Sequence, residues 1–249
     1  LDASSHSIFN LSGDITQLNN ESGGFFSGYA GTDADLGRVM LTAAMRLDKY
    51  HDVPAALSPQ IGVSWLVTDQ LKLRASWGKS FRAPTLPERL NPAWGNPELK
   101  PEFSRSMEAG IEVYGKTLTL GVTGFITHYR NLIGFSPLTV KYANLNQAKI
   151  RGLEINLTMH PAEKLEIRTA WTWMHTNDLQ YNRRLLRRPE HAICVGVTWN
   201  HARFTLGGEM IYVGWRLDYN ELDWIFPVVE VPPFNTFSFH ASLPLSGKL

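Results

Sequence analysis

The chain has one cysteine, Cys194, in 249 residues, which excludes an intramolecular disulfide framework and any zinc site built on a Cys-x-x-Cys pair. No apolar run approaches the roughly 18 consecutive residues of a membrane helix. Charge is sparse as well: charged residues are 19% of the chain, below the roughly 25% of ordinary soluble domains. Neither sign dominates, with 24 Lys and Arg against 23 Asp and Glu. The clustered basic surplus of a nucleic-acid binder is missing, so no nucleic-acid partner is expected. Nor does a basic segment followed by an apolar stretch open the sequence at Leu1, so no signal peptide is visible. Disorder, collagen, coiled coil and a helical membrane protein are excluded on these grounds.

What the chain has is aromatic residues, 11% with eight Trp, and alternation. Val39, Leu41, Ala43, Met45 and Leu47 interleave with Thr42, Arg46 and Asp48. Leu71, Leu73, Ala75 and Trp77 interleave with Lys72, Arg74 and Ser76, and Leu165, Ile167, Thr169, Trp171 and Trp173 with Glu166 and Arg168. A period of two marks strands with unlike faces. It predicts about eleven strands, near 24–32, 37–48, 57–67, 70–79, 103–114, 116–130, 146–158, 164–175, 190–200, 202–213 and 234–243. Most reach ten residues, the length a tilted membrane strand needs, whereas soluble strands usually have about five or six.

The predicted connections alternate in length. Short links fall at 33–36, 68–69, 115, 161–163 and 200–201, and long ones at 49–56, 80–102, 131–145, 176–188 and 214–233. In an up-and-down antiparallel sheet this puts the short links on one rim and the long ones on the other, as in outer-membrane barrels. Trp65 and Trp199 lie on the apolar parity near short turns, and Trp77, Trp171, Trp173 and Tyr212 near long loops. Two such belts fit the two headgroup boundaries of a bilayer. The opposite parity carries Arg46, Lys72, Arg74, Glu108, Glu112, Glu154, Glu166, Arg168, Arg203 and Glu209. On a lipid face each Arg or Lys would cost about 2–4 kcal/mol at the midplane, so this row must enclose a polar interior. Mixed signs there suit an interior filled by another protein element. The fold class is therefore all-β, a transmembrane antiparallel up-and-down barrel. The same alternation would arise in a soluble or cell-surface β-sandwich that binds carbohydrate through exposed aromatics, and that reading is kept as the alternative.

The segments between strands are more specific. Ser80-Phe81-Arg82-Ala83-Pro84-Thr85-Leu86-Pro87-Glu88 and Gly95-Asn96-Pro97-Glu98-Leu99-Lys100-Pro101-Glu102 resemble the barrel signature of TonB-dependent outer-membrane receptors. Tyr142-Ala143-Asn144, Ala148-Lys149-Ile150-Arg151-Gly152-Leu153-Glu154 and Leu185-Leu186-Arg187-Arg188-Pro189 resemble further motifs of that family, in order and at its spacing, with cobalamin and siderophore receptors the nearest relatives. The resemblance implies a barrel of about 22 strands around an N-terminal plug. Residues 1–249 would then be a partial barrel domain, with plug and last strands absent, which by itself should not fold as a native barrel because of its open edges. It also implies location in the outer membrane of a Gram-negative bacterium and active transport of an iron–siderophore or cobalamin bound at the extracellular loops. The implied partners are outer-membrane lipid, the plug and the TonB–ExbB–ExbD complex.

No GxSxG, HExxH, Walker or GxGxxG pattern is present, no covalently bound cofactor or resident metal is expected, and the chain is read as a non-enzyme. His128 and His175 fall on the outward parity, where a Ser–His hydrolase would need them, but read better as belt residues. His51-Asp52 reads as a solvated turn, and Cys194, beside Gly196, as a small packed residue. Arg183, Arg184, Arg187 and Arg188 form the densest cationic cluster, whose forks suit carboxylate or phosphate groups. In the family the Arg-Arg-Pro segment begins a strand and faces the plug, so Arg187 and Arg188 are assigned there, with Arg183 and Arg184 open as ligand candidates. The 215–226 loop carries Trp215, Tyr219, Trp224 and Phe226 among Arg216, Asp218, Glu221 and Asp223; its rings suit a bulky chelate or pack the loop, and both readings stay open. Trp94 and Tyr181 are further ligand candidates. Arg74, Glu108, Glu112, Glu154 and Arg168 are the expected plug-facing inner wall.

Overall fold

A computed structural model describes residues 4–18, 21–50, 53–136, 139–180, 182–220 and 227–243. The strands are β1 (Ser4–Leu18), β2 (Glu21–Asp35), β3 (Val39–Tyr50), β4 (Val53–Thr68), β5 (Leu71–Arg82), β6 (Glu102–Tyr114), β7 (Leu118–Ser136) and β8 (Lys141–Ala162). They continue with β9 (Leu165–Asp178), β10 (His191–His201), β11 (Phe204–Val213), β12 (Arg216–Tyr219), β13 (Val228–Val231) and β14 (Phe234–Ser242), and one short helix, α1 (Leu86–Leu90), follows β5. Twelve strands form a single antiparallel sheet in the order β1 to β11 and then β14, each paired with its sequence neighbours, while β12 and β13 form a separate hairpin.

The sequence predicted about eleven strands; β1 is the addition to the large sheet, and β12 and β13 arise within the predicted loop 214–233. The apolar residues of β1 fall on both parities (Ile8 and Phe9 are adjacent), so alternation is a poor signal there, yet the backbone pairs with β2 from Ser4↔Asp35 to Leu18↔Glu21. Two of the predicted long loops are corrected for a related reason. Nearly all the described residues of 49–56 and 131–145 are strand, because β7 and β8 pair as far as Ser136↔Lys141, and β3 and β4 as far as Tyr50↔Val53. In these extensions apolar residues fall on both parities, Leu132 beside Ile133 and Tyr142 beside Ala143, so the period vanishes while ladder hydrogen bonds persist.

The rim asymmetry stands in modified form. Residues 36–38, 69–70, 115–117, 163–164 and 202–203 make tight turns on one rim. Gly37, with φ 81°, closes the first of them, its N–H bonded to Asp35 Oδ1 at 2.8 Å. Neighbouring turns hold one another: Tyr114 N–H donates to Gln70 O at 2.8 Å and His160 N–H to Thr117 O at 2.8 Å. The opposite rim carries the large connections 83–101, 179–190 and 214–233.

Register fixes the faces. Leu41, Ala43, Met45 and Leu47 lie opposite Val63, Ile61, Pro59 and Leu57, and Leu73, Ala75 and Trp77 opposite Ile111, Ala109 and Met107. No second layer covers this apolar row among the described residues: Leu57 is 54%, Ile61 55% and Phe239 83% exposed. A β-sandwich would bury these side chains between two sheets; here one sheet leaves them open, which removes the sandwich reading. Trp65 and Trp199 flank the row near the tight turns, and Trp77, Trp171 and Trp173 lie toward the other rim. No helix among the described residues is long and apolar enough to cross a membrane, which says nothing about crossing with strands.

Candidate functional site

The charged face has a network centred on β5, β6 and β7. Arg74 Nη2 donates to Thr123 Oγ1 at 2.7 Å, crossing over Gly110, while Arg74 Nε lies 3.2 Å from Glu112 Oε1 and Nη1 3.7 Å from Glu108 Oε1. A Cβ at Gly110 would stand 2.8 Å from Thr123 Oγ1 and 3.2 Å from Arg74 Nε, so the missing side chain is what lets the guanidinium reach the third strand. Lys72 Nζ donates to Glu112 Oε2 at 3.2 Å, Tyr114 donates to the same carboxylate, and Ser76 donates to Glu108 at 3.1 Å. Glu154 shares this face, opposite Thr123 and Thr172, as does Arg168, 2.8 Å from Glu166 and 70% exposed. All five residues expected on the inner wall therefore lie on the charged face. Arg203 does not: it occupies the two-residue turn between β10 and β11, where no strand parity applies.

Toward β14 the same face is lined by small residues. A cavity of about 400 Å³ there is bordered by Asn156, Arg168, Ala170, Cys194, Gly196 and Glu209, among others. Cys194 is half-buried in its wall as a small side chain.

At the large-loop rim, the family-like segments assemble around one guanidinium. Arg82 Nε and Nη2 donate to Glu102 at 2.8 and 2.9 Å, and Nη1 donates to both oxygens of Glu88 at 3.1 and 3.0 Å. Glu88 closes a capping box with Thr85, accepting from Thr85 N–H at 2.8 Å, while its own N–H reaches Thr85 Oγ1 at 3.3 Å. Glu102 also accepts from Ile133 N–H at 2.6 Å, joining the latch to β7. Lys100 N–H donates to Asn144 Oδ1 at 2.8 Å, and Asn96 Nδ2 to Tyr142 O at 3.0 Å. Gly95 must be glycine, since a Cβ would stand 2.5 Å from Asn91 N. Two segments some forty residues apart thus form one platform. Sequence reasoning quoted Arg82, Glu88 and Glu102 as motif letters without a role, since nothing linear shows that they converge.

Trp94 sits on that platform, its ring 5.4 Å from Tyr142 and edge-on to it, with Phe135 a further 5.9 Å away. The next connection meets the β12–β13 hairpin. Arg184 Nη2 lies 2.8 Å from Glu190 Oε1, and its guanidinium stacks 4.6 Å over Trp215. Arg187, at φ 59°, donates from Nε to Asp218 Oδ1 at 2.7 Å and from its N–H to Leu217 O at 2.7 Å. The Arg184 bond holds the Glu190 carboxyl below the ordinary range against its burial. Burial pushes Asp218 up, but the bonds from Arg187 and Tyr219 N–H and the Arg187 and Arg216 charges outweigh it and leave its pKa lowered.

One part of the expectation for Arg187 and Arg188 is corrected: they stand in the connection ahead of β10, which begins at His191, rather than starting a strand, and Arg187 is engaged by the hairpin. Arg183 is exposed, with its carbonyl bound by Asp178 N–H at 2.8 Å, and Tyr219 is half-buried in β12. Trp94, Arg184, Trp215 and Tyr219 all belong to the large-loop rim, although Trp94 is not joined to the other three. Tyr181, Trp224, Phe226, Glu221, Asp223, His51 and Asp52 lie outside the described residues. His128 and His175 are on the apolar face, as their parity predicted, opposite Arg105 and Arg151. No group of three His, Cys, Asp or Glu suited to a metal ion occurs among the described residues.

A sheet with one lipid-grade face and one ionic face, turns on one rim and large connections on the other, defines the wall of a transmembrane β-barrel. Residues 2–248 match the family model of the TonB dependent receptor-like beta-barrel, and the chain belongs to that family. It is 30% identical over 162 residues to the vitamin B12 transporter of Vibrio vulnificus, covering 64% of this chain and 26% of the transporter. Its fold is similar to a ferric enterobactin receptor mutant from Pseudomonas aeruginosa (TM-score 0.77, 24% identity, 91% of this chain and 38% of that one). It is also similar to the siderophore receptor PirA of Acinetobacter baumannii (0.76, 16%, 91% and 40%) and to the copper transporter OprC (0.78, 16%, 91% and 41%). The chain thus spans about a quarter of the curated relative and about two fifths of the solved structures.

Proposed function

We propose that the chain supplies barrel wall and loop platform to an outer-membrane receptor that binds a metal chelate, an iron–siderophore or cobalamin, for TonB-energised uptake in a Gram-negative bacterium. The observation that carries this reading is the pairing of opposite faces on the same strands. Met107 and Ile111 of β6 are open for lipid, while Glu108 and Glu112 of that strand form a mixed-sign network with Lys72 and Arg74 on the other side. An ionic wall of both signs suits a removable protein occupant: Glu154 and Arg168 keep exposed charge for it, and the self-paired network keeps that wall soluble when the occupant shifts. Arg74, Glu108, Glu112, Glu154 and Arg168 are accordingly assigned to the plug contact. Energy would reach the plug from TonB–ExbB–ExbD.

Ligand contact is assigned to the large-loop rim, to Trp94, Arg183, Trp215 and Tyr219, with Tyr181 and Trp224 nearby in sequence. Arg184 contributes through its stack on Trp215, which orients the ring. The named relatives transport vitamin B12 or copper, or receive siderophores, which supports a metal-bearing cargo. No step of this function makes or breaks a covalent bond. The test is deletion of the gene followed by uptake of labelled cobalamin, ferric siderophores and copper. Loss of one cargo, restored by the intact gene, is expected; unchanged uptake of all three would refute the proposal.

A further inference from the structure

The apolar face is not apolar to its end. One step beyond the Trp77–Met107–Ile126 row toward the large-loop rim, the outward residues are Lys79, Arg105, His128 and Lys149, each directly opposite the next across β5, β6, β7 and β8. Arg130 stands one step above on β7, and Arg151 with His175 one step below on β8 and β9. The other outward residues of β5 to β9 at these levels are Trp77, Phe81, Phe103, Met107, Ile126, Gln147 and Asn177, with no carboxylate among them. Lys79, Arg105, His128, Arg130 and Arg151 are exposed, and among the described residues none of the five Arg and Lys of this patch forms an ion pair.

Like charges directly opposite in a ladder destabilise it. On the charged face the same strands avoid this by pairing Arg74 and Lys72 with Glu108 and Glu112. The outward ladder therefore works against the sheet unless the balancing anion comes from outside the protein. Its height names the source. Trp77 marks the edge of the apolar band, and Lys79 lies 5.8 Å over that ring, so the ladder is at headgroup level on the large-loop side. Four strands and three rows cover a patch about 14 Å by 14 Å, wide enough for more than one phosphate.

We propose that this patch binds the phosphate groups of an anionic outer-leaflet lipid, with Arg105, Arg130 and Arg151 forking phosphate oxygens and Lys79 and Lys149 acting as point charges. The proposal rests on the outer-membrane reading above, and its test separates the two. The protein, expressed from its complete gene, is put into nanodiscs of neutral phosphatidylcholine and titrated with purified lipopolysaccharide and with the same glycolipid after enzymatic dephosphorylation. The triple variant Arg105→Gln, Lys149→Gln, Arg151→Gln is compared with Lys116→Gln in a turn of the opposite rim. Tight binding of the phosphorylated form, weakened roughly a hundredfold in the triple variant and unchanged in the control, is expected. Equal affinity for the two glycolipids, equal affinity of the triple variant, or displacement by inorganic phosphate as effective as by lipid would overturn the proposal while leaving the transport reading intact. Failure of the protein to enter neutral nanodiscs would overturn both.

Discussion

Replacing Arg82 by alanine is expected to free the connection between β5 and β6 without unfolding the sheet. The guanidinium makes four charge-assisted hydrogen bonds, two to Glu102 and two to Glu88. Removing one partner of a fully buried pair costs about 3–5 kcal/mol, whereas an exposed pair contributes about 0–1 kcal/mol. Arg82 is 41% exposed while Glu88 and Glu102 are 15% and 12% exposed, so the case is intermediate. We expect a local loss of about 2 kcal/mol. That corresponds to amide exchange about thirtyfold faster over residues 86–101, read by hydrogen–deuterium exchange, with protection in β6 and β9 unchanged. Arg82→Lys keeps the charge but not the fork and should fall between. In Glu102→Gln an acceptor for Ile133 N–H survives, so β7 should stay protected while the loop loosens. Native exchange over 86–101 in Arg82→Ala would refute the idea that this ion cluster holds the platform.

Gly152→Ala puts a Cβ 2.3 Å from Trp173 O and 2.6 Å from the Phe125 ring, so we expect about 1–3 kcal/mol of destabilisation and a lower melting temperature of the folded band on unheated gels. Ile111→Arg, on the outward row opposite Leu73 and Val122, should cost about 2–4 kcal/mol in refolding titrations if lipid covers it; a neutral result would show that lipid does not. Because the Asp218 pKa is lowered on folding, its tie to Arg187 is fully present above the ordinary carboxylate range and is lost as pH falls through the lowered value. Amide exchange over β12 should therefore hold steady to mildly acidic pH and quicken only below it, whereas Asp218→Asn should show the faster exchange already at pH 7.

Alternation made the sheet readable because a strand between lipid and a polar interior must sort its side chains two by two. Where that sorting stops, legibility stops. The hairpin extensions of β3, β4, β7 and β8 have mixed faces and read as loops, although their backbones are fully paired. Arg187 illustrates the same limit: the family resemblance placed it at a strand start, but its partner Asp218 lies 31 positions away and no local pattern points to it. The outward ladder of Lys79, Arg105, His128 and Lys149 follows the same parity that places His128 outward, yet four separate segments must come into register before its charges meet.

Local sequence, then, determined the period, the apolar and ionic rows, the aromatic belts and the tight turns, since each follows from residues within a few positions of one another. Tertiary structure alone decided which distant side chains meet: Arg82 with Glu102, Arg187 with Asp218, and one cation with the next across β5 to β8. Those meetings depend on strand register, and register comes from the sum of every cross-strand contact rather than from any one segment.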